Sequence, residues 1–184
     1  MMHKRLTTTI LGILVLVGGL SGCSSSYDAL KNADQPLPPN SAPTSTVSQR
    51  SNPDNYAALE QSIYQQVNQY RKSRDLPPLT LDSRISEQSR IHSDAMASGR
   101  VPFSHNGFDD RVKALSRSIP YRSAAENVAY NQGYPNPGKQ AVEGWIKSPG
   151  HRKNMEGNFN LTGIGVSKNA KGEYYFTQIF IKRR

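Results

Sequence analysis

An α+β fold is the architecture this sequence predicts, and three observations predict it. From Tyr56 onward, apolar residues recur at helical spacing in successive segments. Proline or glycine closes most of those segments. Near the C-terminus, two short runs rich in β-branched and aromatic residues flank a turn. Helices first and a terminal hairpin imply helices packed on a small antiparallel sheet.

The segments follow in order. Tyr56 to Lys72 carries Leu59, Ile63, Val67 and Tyr70 on one helical stripe, with Asp54 or Asn55 available to cap its start. Pro77 and Pro78 stop the chain, and Asp82 is placed to cap a second helix running to about Ser98, with Gly99 just past its end. Its apolar face reads as Ile85, Ile91, Ala95 and Met96, with His92 beside it as a structural histidine. Val101 to Gly107 is loop by composition, and Asp109 or Asp110 starts a short helix through Leu115 that Pro120 closes. Ala124 to Tyr130 is apolar enough to lie partly inside, which makes Glu126 unusual: a buried carboxylate needs a partner. Lys139 to Lys147 is a helix with Ala141, Val142, Trp145 and Ile146 on one stripe. Leu161 to Ser167 and Tyr174 to Ile181 form the hairpin, with Asn169 to Gly172 as its turn.

The N-terminus reads as a processing segment. Lys4 and Arg5 precede an apolar run from Ile10 to Leu20, too short for the about 20 residues of a spanning helix. Leu20-Ser21-Gly22-Cys23 resembles the lipobox of bacterial lipoproteins, which implies a signal peptide over 1–22, cleavage before Cys23 and lipid on that cysteine. Cys23 is the only cysteine, so no intrachain disulfide forms. Residues 23–55 are rich in Ser, Pro, Asn and Thr, and bury too little to offset the entropy of ordering; they read as a tether spanning about 30 Å. Residues 56–184 are the size of one domain. That domain holds nineteen Lys and Arg against eleven Asp and Glu, a net charge of +8. The basic residues are scattered and match no nucleic-acid module, so no nucleic-acid partner is expected.

The stretch Ser148-Pro149-Gly150-His151-Arg152-Lys153-Asn154-Met155 concentrates uncommon demands. Pro149 and Gly150 end the preceding helix and set His151 just past it, where an imidazole can ligate a metal, carry a proton or contact an anion. Together with Ser104-His105-Asn106-Gly107, Ala125-Glu126-Asn127, Trp145 to Met155, Gly163-Ile164-Gly165-Val166 and Tyr175 to Phe180, in that order, it resembles a bacterial CAP (SCP) domain. This is the superfamily of cysteine-rich secretory, antigen 5 and pathogenesis-related proteins. The resemblance covers about Tyr56 to Ile181 and implies a three-layer α-β-α sandwich with a central cleft. In eukaryotic members that cleft holds two histidines and two glutamates and can bind a divalent cation, often zinc. By motif, the first histidine, first glutamate and second histidine fall on His105, Glu126 and His151. The second glutamate falls on Ser148, a departure, and Glu143 lies about 140° around the same helix from that position.

Two imidazoles and a carboxylate are a recognised zinc set, so His105, Glu126 and His151 are the expected ligands of a divalent cation, with Ser148 completing the cleft. Asn127 and Asn154 are expected to hydrogen-bond neighbouring turns. The favoured function is a lipid-anchored envelope protein that binds a small ligand, a lipid or a cation without catalysis. One alternative is an envelope hydrolase using Ser104 or Ser148 with a site histidine and Glu126. Another is an adhesion module whose basic exterior holds anionic envelope polymers. Ser24 lacks the aspartate that retains many lipoproteins at the inner membrane, which points to the outer membrane if the cell has one. Two or more acyl chains make membrane attachment stable. Cys23→Ser is therefore expected to move the protein from salt-washed membranes to the soluble fraction, and a variant that still pellets would refute the anchor.

Overall fold

The computed structural model describes residues 56–184, so the signal segment, Cys23, the tether and the caps Asp54 and Asn55 lie outside the described residues. The elements are α1 (Ala57–Lys72), β1 (Thr80–Leu81), α2 (Ser83–Ala97), α3 (Phe108–Ser116), β2 (Tyr121–Asn131), α4 (Pro137–Lys147), α5 (Pro149–Glu156), β3 (Leu161–Lys168) and β4 (Tyr174–Arg183). The sheet order is β1-β3-β4-β2. The three long strands are antiparallel, with Glu126 opposite Ile179 and Ile164 opposite Gln178. The two residues of β1 add a short parallel pairing to β3, so the sheet is mixed at one edge. Among the described residues no helix is long and apolar enough to cross a membrane.

Strand alternation divides the core into two layers of side chains. Ile164, Val166, Phe176 and Phe180 face α1, α4 and α5, where Ile63, Val67, Trp145 and Met155 meet them. Ile179 and Ile181 face the other way, toward Ile85 of α2 and Val112 and Leu115 of α3. Helices thus cover both faces, the α-β-α sandwich implied by the resemblance.

Ala124 to Tyr130 lies partly inside as expected, in an edge strand, β2, which lacks apolar alternation because Ala124 packs into one layer while Ala125 and Ala129 pack into the other. Two expectations change. Pro149 does not only end α4: it occupies the first turn of α5, where its fixed φ and missing N–H fit, so His151 sits inside a new helix and not past an old one. Ile91 is 49% exposed. The face α2 turns to the sheet is instead Ile85, Ser86, Ser89, His92, Ser93 and Met96.

That small, polar face has a mate in β3. A Cβ on Gly163 would overlap the backbone of Ile85 and Ser86, and one on Gly165 would overlap Ser89 and Arg90. The two glycines let α2 lie directly on the strand. Ser89 Oγ reaches the Gly163 carbonyl at 3.2 Å and Ser93 Oγ the Gly165 carbonyl at 2.9 Å. Gly165→Ala is expected to cost about 3 kcal/mol or more in urea unfolding, since the obstructing atoms are backbone. Gly144→Ala, in open space within α4, should be neutral or stabilise by about 0.5–1 kcal/mol; equal losses in the two variants would refute the close approach.

Candidate functional site

α2 ends at Ala97 with Ser98 as its C-cap, and Gly99 takes the left-handed conformation that turns the chain into the loop carrying His105. Side chains from either side hold that loop. His92 Nε2 donates to the Ser104 carbonyl at 2.9 Å, which fixes its tautomer and makes it the structural histidine expected. Arg111, in the first turns of α3, donates from Nη1 to the Asn106 carbonyl at 2.9 Å. His105 then meets Glu126 of β2, Nδ1 to Oε1 at 3.0 Å.

Glu126 is the centre of the cluster. Its side chain is 1% exposed, and Arg111 grips both of its oxygens, with Nε at 3.0 Å and Nη2 at 2.8 and 2.7 Å. A charge-assisted fork of this kind offsets the desolvation of a buried carboxylate. Sequence reasoning missed Arg111. The available signal was electrostatic: a cation in the opening turns of a helix that begins with Asp109 and Asp110 opposes the helix dipole, so it needs another reason to be there.

His151 arrives from the opposite helical layer. Asn127 donates to the His151 carbonyl at 3.1 Å, and Asn154 donates to the Glu126 carbonyl and to Asn127 Oδ1, so both asparagines tie α5 to β2 as expected. The His105 and His151 rings stand 6.3 Å apart, centroid to centroid. Burial, followed by the neighbouring His105 charge, holds the His151 pKa below its ordinary value. Ser148 links α4 to α5 in extended conformation and lines the same groove as His151. Glu143 is turned away and pairs with Lys139 on the surface of α4.

The four expected residues therefore gather around one cleft, but three of them do not form a converging ligand set. Glu126 already engages Arg111 and His105 through both oxygens. Among the described residues no group of three His, Cys, Asp or Glu is arranged to hold a metal ion. Ser104 Oγ bonds within its own loop, to the Pro102 carbonyl and the Asn106 N–H. Among the described residues no serine hydroxyl hydrogen-bonds either site imidazole.

From His151 and Ser148 a groove of about 640 Å³ runs along the β2 backbone from Val128 to Gln132, walled by α4 and rimmed by Phe103, Tyr130 and Tyr134. These three rings are about half exposed. Phe103 stands edge-on to Tyr130, with centroids 5.6 Å apart, and Tyr130 stacks on Tyr175 at 5.7 Å.

Residues 64–180 match the family model of the cysteine-rich secretory protein family, CAP. The chain belongs to this family. The protein YkwD of Bacillus subtilis is 31% identical over 156 residues, which cover 82% of this chain and 57% of that protein, so the chain matches little more than half of the relative's length. An extracellular SCP-domain protein of Bacillus anthracis superposes with a TM-score of 0.56 at 29% identity, over 68% of this chain and 41% of that one. An outer surface protein of Borrelia burgdorferi shares the fold at a TM-score of 0.62 and 18% identity, over 71% and 96% of the two chains.

The CAP domain's loop geometry carries a pH dependence. Burial lowers the pKa of His92 from its unfolded value near 6.5. Below that pH the unfolded chain takes up a proton that the folded chain refuses, so stability is full above about pH 6.5 and falls as pH drops below it, by up to about 1.4 kcal/mol per pH unit until the folded pKa is reached. His92→Asn is expected to lower the melting temperature at pH 7.5 and to flatten its decline toward pH 5; an unchanged slope would refute the assignment.

Proposed function

We propose that this CAP domain is displayed on the non-cytoplasmic side of a bacterial envelope, held there by lipid on Cys23, and binds a small ligand in the groove beside His151 without catalysing a reaction. The observation that carries this reading is the groove itself. Its size lies in the range of ligand pockets, and it combines apolar rings with a few fixed polar groups. The extracellular and outer-surface relatives support display outside the cytoplasm.

The lining also describes the ligand. Tyr130, Tyr134 and Phe103 offer flat apolar faces, Gln132 and Gln140 offer amides, and His151 is the one titratable group along the wall besides the tyrosines. Such a surface suits an uncharged ligand that alternates apolar faces with hydroxyl or amide groups, as envelope sugars do. Among the described residues Ser104 Oγ bonds within its own loop and no serine hydroxyl hydrogen-bonds a site imidazole, which supports binding over serine-based hydrolysis.

Titration of the full chain with N-acetylglucosamine oligosaccharides, followed by NMR or calorimetry, tests this. Tyr130→Ala is expected to weaken binding by about tenfold, equivalent to about 1.4 kcal/mol. Binding should persist in high salt, because no ion pair is needed. Affinity that is equal in the variant, or that vanishes with salt, would overturn the groove reading, and the salt-sensitive outcome would point to the basic exterior instead.

A further inference from the structure

We infer that Arg111 is the resident cation of this cleft, occupying both oxygens of Glu126, so that the His105, Glu126 and His151 cluster takes no zinc. Three observations converge. First, Glu126 is buried and Arg111 is largely covered, with side chains 1% and 10% exposed, and the guanidinium already contacts both carboxylate oxygens. The guanidinium brings a fixed fork of N–H donors that matches a carboxylate, so Glu126 has a charged partner without any metal. Second, the position where the resemblance implies a second glutamate holds Ser148. Two glutamates would bring two negative charges to a metal; here the single carboxylate and its guanidinium sum to zero. Third, Arg111 also bonds the Asn106 carbonyl, next to His105, at 2.9 Å. The guanidinium thereby joins loop, helix and strand, the work of cross-linking that a structural metal does elsewhere.

The consequence for the imidazoles is specific. His105 directs Nδ1 at a carboxylate that Arg111 holds still. Arg111 is thus a positioning residue for His105, acting through Glu126 and through the loop. A zinc ion would have to compete with a charge already in bidentate contact, and would meet only the two rings outside that pair, fewer than the three protein ligands typical of zinc sites.

This inference is independent of the groove ligand, since the pair can exclude zinc whether or not a sugar lies along β2. The test is calorimetry of the purified, untagged full chain with zinc chloride, beside the His105→Ala, His151→Ala double variant. Heats that are the same for both proteins are expected. One equivalent of zinc bound by the wild type and lost in the double variant overturns the inference. Arg111→Met frees Glu126 and is expected to gain a histidine-dependent site, binding zinc at least about tenfold more tightly than the wild type and giving tetrahedral cobalt(II) absorption bands. A folded Arg111→Met chain that gains neither overturns the role assigned to Arg111. Should that variant fail to fold, imidazole ¹⁵N shifts of the wild type decide: His105 and His151 unmoved by zinc support the inference, and both displaced at one equivalent refute it.

Discussion

The direct contact of α2 with β3 is the constraint from which the site follows. Gly163 and Gly165 remove the side chains that would separate helix from strand, and the helix answers with Ser86, Ser89 and Ser93. The Ser89 and Ser93 hydroxyls find strand carbonyls and, for Ser93, the Thr177 hydroxyl at 2.9 Å. A seam built this way fixes the rotation of α2 about its axis, because any other face would drive larger groups into the sheet. With the rotation fixed, His92 reaches Ser104, and the loop bearing His105 is brought down toward β2.

Buried charge is handled by one recurring device. Glu60 of α1 is 6% exposed, and Arg90 of α2 holds it with Nε at 3.0 Å from both oxygens and Nη2 at 2.6 Å, while the Val166 N–H adds a backbone bond. Glu126 repeats the motif with Arg111. Arg71, 1% exposed, has carbonyl partners instead: Pro77, Met155 and Gly157. Each satisfies a charge that would otherwise cost several kcal/mol to bury, and each ties two elements distant in sequence. Glu126 differs from Glu60 in one respect: its second partner is a half-exposed imidazole, so the structural pair also faces the cleft.

The edge of β2 is closed by side chains, not by another strand. Trp145 Nε1 donates to the Val128 carbonyl at 3.1 Å, and Asn154 to that of Glu126. Covering an edge protects it from pairing with other chains. Here the cover comes from α4 and α5, whose junction at Ser148 sets His151 at one end of the groove. The same corner therefore seals part of the edge and opens the cleft along the rest of it.

The sequence by itself determined the elements whose signals are local. The α1 and α4 stripes, the Asp82 cap and the terminal hairpin all stand where their spacing and turn residues placed them, because each of those signals lies within one or two turns of chain. The ordered motifs also named His105, Glu126 and His151, which do gather. What only the tertiary structure decided depends on partners far apart in sequence. β2 is a strand because β4 pairs with it, and its alanines, shared between two layers, show no period of two. Ile91 is exposed because glycines more than seventy residues away draw the serine face of α2 inward. Arg111 joins the site because a carboxylate fifteen residues on has nowhere else to place its charge, and burial, which creates that need, exists only in the folded chain.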